Sequence, residues 1–351
     1  MADGHHVAIV APPLELGGGT KELLLFARAL ASAGHRVDLV TADATKRKTF
    51  DYQGLTLTPD EALLGKKYDV AIATWYETIA LAERLAPVAI HFCQGYEADL
   101  IHLSDKFEAI AEAYSRALPA LVVSPHLAAR LADRFATRCV VMPPLLDPDF
   151  RPRRFARGPG KRPRIILQGI FEAEVKRVRL GLEAFALLQK RLPSDLVRVS
   201  VLPLSKGERD CGVSSEFYSD VRPVEVAALT ARSSLTLFTS TSAEGFGLPV
   251  LEGLAAGTPV VAVRIPSLAV FESMRVVEVA AEPDPAMLAD IMFRLLTDPR
   301  RWRLARRRGM EFAGFWRKDQ FALAAGAFDH LLAGVRPFRG DRASGPALGP
   351  G

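Results

Sequence analysis

A chain of 351 residues, 49% hydrophobic and 24% charged, is long enough for two globular cores and too apolar for a disordered protein. No apolar run nears the ~18–20 residues that span a bilayer. Val7–Val10 lacks the features of a signal peptide, and Cys93, Cys139 and Cys211 offer neither a disulfide framework nor zinc spacing, which suits the cytoplasm. The net charge of +5 is split, with 14 Lys+Arg against 19 Asp+Glu in residues 1–150 and 31 against 21 beyond, and no motif or aromatic platform for nucleic acid accompanies the basic half.

Short apolar runs alternate with amphipathic stretches along the chain, which predicts parallel α/β layers. Val7–Ala11 is a strand, Lys21–Ala33 a helix ended by Gly34, and Arg36–Thr41 the next strand. Strand Asp69–Thr74, helix Thr78–Leu85 and strands Val88–Phe92, Leu121–Ser124 and Val140–Met142 follow. Ser124 is placed to N-cap a helix beginning at Pro125. A Pro-, Arg- and Gly-rich stretch between Pro143 and Pro163 marks a domain boundary, dividing 1–150 from 151–335.

The second half restarts the pattern. It runs through strand Arg164–Gln168, helix Val178–Arg191, strand Val197–Leu202, helix Val224–Ala231, strand Leu235–Thr239, helix Pro249–Ala256 and strand Val260–Val263. Helices fill Pro285–Leu296 and roughly Arg300–Ala333, and Arg336–Gly351 reads as a flexible tail. The two halves repeat one architecture without a short sequence repeat. The basic second half suits an anionic ligand such as a nucleotide diphosphate, or peripheral contact with an acidic membrane surface. Much of the excess lies in Arg300–Arg308, which also reads as a solvated helix face.

The strongest local signal is Ser240 to Glu252. A strand leads into Glu244-Gly245-Phe246-Gly247-Leu248 and a helix opens at Pro249, so free backbone N–H groups gather at a positive helix N-terminus. Gly245 and Gly247 remove side chains where an anion must approach. Glu252, one turn into the helix, is suited to accept hydrogen bonds from ribose hydroxyls. Taken singly, either glutamate also reads as an ordinary helix-terminal or surface carboxylate.

These residues resemble the retaining family-4 glycosyltransferases (the glycogen synthase and mannosyltransferase-like group), over most of residues 7–330. The resemblance implies a GT-B fold, an α/β architecture of two Rossmann-like domains whose parallel sheets face each other across a cleft. It implies an acceptor-binding first domain, and a second domain holding a nucleotide diphosphate sugar as co-substrate, with no further cofactor and no metal. Glu244 would lie near the donor sugar, Glu252 would bind the ribose, and the amides around Phe246–Leu248 would contact the sugar or diphosphate. Met142–Phe150 is similar to the family's interdomain signature. Relatives place an Arg after the glycine matching Gly169 and a Lys matching Lys176, and here Ile170 stands at the Arg position. Arg177 and Arg179 are candidates to replace it, away from the expected place.

Two further loops belong to this reading. Gly17-Gly18-Gly19-Thr20, after Leu16, fits neither a Walker A nor a Gly-x-Gly-x-x-Gly pattern. Within the resemblance, Gly18 and Gly19 approach the donor phosphates. In His91–Glu97, the place of the family's loop histidine falls at Cys93 or Gln94, so Gln94 is a candidate to meet the sugar, and Tyr96 and Glu97 to meet the acceptor. The alternative makes His91 a satisfied strand residue and Glu97 a loop carboxylate, while His126 reads as structural. Relatives also carry a glycine-rich loop after Pro-Val-Val, absent from Val263–Glu272.

The sequence therefore predicts transfer of a hexosyl or deoxyhexosyl group to a glycan, glycolipid or metabolite, as in polysaccharide biosynthesis, with Glu244, Lys176 and Gln94 at the reaction centre. A non-catalytic nucleotide-sugar-binding subunit, or an isomerase or phosphorylase on the same fold, stays open.

Overall fold

Branched apolar runs flanked by turns give strands buried on both faces, as parallel sheets require. The computed structural model describes residues 4–14, 17–41, 67–153 and 158–335, with the backbone of 56–58. Leu16, part of the boundary stretch (154–157) and the tail Arg336–Gly351 lie outside the described residues.

The first sheet contains β1 (His6–Ala11), β2 (Arg36–Thr41), β3 (Thr56–Thr58), β4 (Val70–Ala73), β5 (Val88–Cys93), β6 (Ala120–Val122) and β7 (Cys139–Val141), in the order β3-β2-β1-β4-β5-β6-β7. The second contains β8 (Arg164–Gln168), β9 (Asp195–Ser200), β10 (Glu216–Ser219), β11 (Leu235–Phe238), β12 (Val260–Val263) and β13 (Glu278–Ala280), in the order β10-β9-β8-β11-β12-β13. Every pairing is parallel, so each half is a doubly wound sheet whose order reverses beside its first strand. Loops at the carboxyl ends of β1, β5, β6, β8, β9 and β11 meet in the crevice between the sheets.

Strands β3, β10 and β13, absent from the periodicity reading, are short and lie at sheet edges, where no long apolar run is needed. The predicted helix Arg300–Ala333 is two helices, Pro299–Arg317 and Gln320–Leu332. Between them Lys318 is extended and Asp319 is left-handed at φ 56. No Gly or Pro announces this break. It follows from packing: the first helix lies on Leu248–Ala255 and Pro285–Thr297, whereas the second crosses to Gly18–Ser32, β6 and β7. There Phe328 and Leu331 are fully buried, with Phe328 edge-on to Phe26.

The segment joining the sheets is pinned by the same helices. Gln320 accepts from the Leu146 N–H at 2.8 Å and donates to the Leu146 carbonyl at 2.9 Å. Trp316 Nε1 donates to the Pro144 carbonyl and Arg317 to that of Phe150. Buried Met142, Leu145, Leu146 and Phe150 continue the first apolar core toward the second sheet. Among the described residues, no helix is long and apolar enough to cross a membrane.

Candidate functional site

The Gly-rich turn after β11 is built as a rigid shelf. Gly247 has φ 99, a conformation L side chains rarely adopt, and it opens helix Leu248–Ala255 with Pro249 in the first turn. Thr239 donates to the Lys176 carbonyl at 2.8 Å and the Thr241 N–H to that of Val175 at 2.8 Å, which ties the turn to the loop after β8. Lys176 Nζ donates to Glu244 Oε2 at 2.7 Å, so the two residues singled out from the sequence form one ion pair.

The opposite wall comes from the first sheet. Gln94 donates to the Gly19 carbonyl at 3.1 Å, locking the loop after β5 to the loop after β1. Ser124 is at the N-cap position but makes no side-chain cap bond, contrary to the sequence expectation. Its hydroxyl instead donates to the Gly245 carbonyl at 2.8 Å and meets His126 Nδ1 at 2.9 Å. The hydroxyl is turned to a tertiary acceptor instead of accepting from a local N–H, and His126 meets the hydroxyl that spans the crevice.

Two cavities of this crevice are lined by the loops just described. One, of about 430 Å³, is lined by Gly17–Gly19, Lys21, Glu22, Gly169, Ile170, Lys176 and the shelf from Phe246 to Glu252. Val199, Ser200, Val201, Val221 and Pro223 line the same cavity with a largely apolar surface. The other, of about 610 Å³, is lined by Pro12, Pro13, Trp75, Tyr96, Glu97, Leu100 and His102. Gly19, Gln94, Lys176 and Glu244 line both cavities and mark where they meet.

Most sequence-selected residues converge here, with distinct environments. Phe246 sends its ring into an aromatic cluster with Phe271 and Trp316, so its side chain serves the core. The Tyr96 ring packs against Tyr114 and Phe135 beneath Arg130 and Arg134, leaving little of it for a ligand. Glu97 is buried and accepts from Tyr114 Oη; burial pushes its carboxyl up to about 7 against that bond. His91 is buried against Tyr114, and burial alone lowers it to about 4, so it is neutral.

Neither candidate replacement for the missing Arg lines these two cavities. Arg177 begins its helix in a left-handed conformation, and Arg179 stacks on Phe171 at 5.2 Å; both line a third cavity, which shares Leu100 and His102 with the second. Arg198 is fully buried on β9, bonded to Glu208 at 2.6 Å and to the carbonyls of Leu167 at 2.7 Å and Gly169 at 2.9 Å. It fixes the end of β8 from behind. Its position inside an apolar strand run gave no sign of this.

Lys21 and Glu22 were also missed, although they follow the Gly-rich loop directly. Lys21 pairs with Glu252 across the crevice and lies 4.7 Å over the Phe150 ring. Glu252 is buried, and desolvation raises its carboxyl despite Lys21. Glu22 accepts from the Leu145 N–H at 2.8 Å, while its second oxygen has no partner; burial pushes it up to about 8. Among the described residues, no cluster could hold a metal ion.

Residues 162–298 match the family model described as glycosyl transferases group 1. No curated protein matches the sequence. Sucrose-phosphate synthase from Thermosynechococcus elongatus superposes with a TM-score of 0.73 at 17% identity, over 94% of this chain and 99% of that one. WaaG, a glycosyltransferase involved in lipopolysaccharide biosynthesis, gives 0.69 at 19% identity, over 93% and 100%. Anabaena HepE in complex with UDP-glucose gives 0.75 at 13% identity, over 94% and 100%. The chain thus has the two-domain GT-B fold, and its second sheet and helices carry the likeness to the glycosyl transferases group 1 family.

Proposed function

We propose that this protein is a glycosyltransferase that moves a sugar from a nucleotide diphosphate sugar to an acceptor. The observation carrying this reading is the junction of two cavities at Gly19, Gln94, Lys176 and Glu244. A donor in the first cavity and an acceptor in the second would meet at these four residues. HepE, a neighbour in fold, is in complex with UDP-glucose, which makes a uridine donor the first to try.

In this reading the nucleobase lies against Val199, Val201, Val221 and Pro223, and the ribose hydroxyls donate to Glu252. The diphosphate meets the Phe246–Leu248 amides, the Gly17–Gly19 helix start and Lys176. Charge that develops on the leaving diphosphate is stabilised by Lys176 and by two positive helix N-termini, all preorganised before reaction. Glu244 holds Lys176 in place and faces the transferred sugar, as Gln94 does from the other wall. Glu97 and the aromatic lining of the second cavity, Trp75 above all, would hold the acceptor. Closure of the sheets excludes water and aligns the acceptor oxygen with the anomeric carbon. Retention of configuration and independence from metal follow from the resemblance to family-4 enzymes and are part of the proposal.

A thermal-shift panel of UDP, GDP, ADP and dTDP, followed by their sugars, tests the reading. One nucleotide should raise Tm, and its sugar should give a glycosylated product by mass spectrometry. If no nucleotide raises Tm, the donor site is misassigned; binding without any product from a broad acceptor set favours a non-catalytic subunit. We also propose peripheral contact with an acidic membrane, supported by exposed Arg300, Arg303, Arg307 and Arg308 on helix Pro299–Arg317 and by Phe315, 79% exposed on the same helix.

A further inference from the structure

On the donor-site reading the first cavity receives a multiply charged anion, yet both of its lysines are already paired. Among the described residues lining it, Lys21 and Lys176 are the cations, and each is bonded to a glutamate of the second domain, Glu252 and Glu244. Lys176 comes from the loop after β8. Lys21 comes from the other domain, in the first turn of helix Gly18–Ser32, beside the N–H groups of Gly17–Gly19. Its stem lies on Phe150, and its ammonium reaches a buried carboxylate otherwise suited to sugar hydroxyls.

We propose that Lys21 is a donor-binding residue, the cation that the first domain contributes to the nucleotide diphosphate. Ribose hydroxyls can donate to Glu252 as Lys21 does, and a four-carbon stem lets the ammonium swing from that carboxylate to a phosphate oxygen. The exchange keeps Glu252 hydrogen-bonded throughout, and it delivers a positive charge to the side of the diphosphate that Lys176 does not cover. Ile170 supplies no charge, and Arg177 and Arg179 line a third cavity instead, so among the described residues lining the first cavity Lys21 is the one cation besides Lys176. Lys21 would also couple donor binding to domain closure, because it spans the two domains.

This inference rests on the donor-site reading above, and the test separates the two. Calorimetry with wild type would select the tightest of UDP, GDP, ADP and dTDP, and its monophosphate would serve as comparison. Lys21→Met should lose ~10–100-fold in affinity for the diphosphate, the usual scale of a charge-assisted hydrogen bond, and much less for the monophosphate. Lys21→Arg should stay within about threefold of wild type, since the charge and a donor are kept. Lys21→Met combined with Glu252→Gln removes the carboxylate that the single variant strands, and it should show the same collapse of diphosphate preference if the single variant folds poorly. Undiminished or tighter diphosphate binding by Lys21→Met, or an equal loss for both nucleotides, overturns the proposal alone. Wild type that binds no nucleotide removes the site reading and the proposal with it.

Discussion

Ser124 Oγ donates to the Gly245 carbonyl at 2.8 Å, and this bond joins the end of β6 to the Gly-rich turn of the other domain. Gly245 permits the contact because a Cβ there would lie 1.8 Å from the Gln94 carbonyl oxygen. Gly245→Ala should therefore prise the two walls apart and lower kcat/KM by roughly 100-fold, the scale of a displacement of about 1 Å in a catalytic site. Nucleotide affinity, which the proposed function assigns mainly to the second domain, should fall less. Ser124→Ala removes one hydrogen bond worth about 1 kcal/mol and should cost roughly fivefold in kcat/KM. Steady-state kinetics with the cognate sugar nucleotide reads both, and equal behaviour of the two variants would refute the close-approach argument.

Glu252→Ala should weaken nucleotide binding by about 1.5–3 kcal/mol if its carboxylate accepts from ribose hydroxyls. Calorimetry is the direct measurement. Unchanged affinity would show that Glu252 serves only as the counter-ion of Lys21.

Arg198 should matter for stability more than for charge in the crevice. Arg198→Met strands buried Glu208 and leaves the carbonyls of Leu167 and Gly169 without their donor. A loss of about 3–5 kcal/mol in urea unfolding is expected, since one partner of a buried pair is removed. Adding Glu208→Gln should recover part of it. A loss below about 1 kcal/mol would place Arg198 among weakly coupled pairs.

The buried acids set a pH dependence. Glu22 at about 8 and Glu97 at about 7 bind protons in the folded state that they release when unfolded, where the usual value is 4.5. Stability from these groups is complete below the unfolded value and is lost as pH rises toward the folded values. Buried His91, lowered to about 4, works in the opposite direction below its ordinary 6.5, so the acids act unopposed by it between about 6.5 and 8. Tm should fall across that window, and Glu22→Gln should flatten the slope. A variant as steep as wild type would assign the dependence elsewhere.

The outer face of helix Pro299–Arg317 offers a separate test. Sedimentation with phosphatidylglycerol vesicles should carry down the protein, and phosphatidylcholine vesicles should not. Arg303→Glu with Arg307→Glu should abolish the effect, each basic residue near such a surface contributing about 1 kcal/mol. Equal recovery with both lipids, or none, would leave this face a solvated one.

The alternation of apolar runs and helical stretches determined the doubly wound halves, because strands buried on both faces must be continuously apolar wherever they occur. The order Glu244-Gly-Phe-Gly-Leu-Pro with Glu252 marked a Gly-rich turn opening a helix for a similarly local reason: φ 99 at Gly247 and the helix start depend on adjacent residues. Short edge strands such as Glu216–Ser219 left no such trace. The break at Lys318–Asp319 also left none, because a helical pattern cannot say which domain each of its turns will cover.

Charge partners were a matter for the tertiary structure alone. Lys21 and Glu252, Ser124 and Gly245, and Arg198 and the Gly169 carbonyl are brought together by folding and by the approach of two domains. The sequence determined that a Gly-rich shelf and two glutamates exist. Only the packed crevice decided that Glu244 holds Lys176, that Glu252 holds Lys21, and that Arg177 and Arg179 line a third cavity, because side-chain direction follows from burial and backbone twist rather than from spacing along the chain.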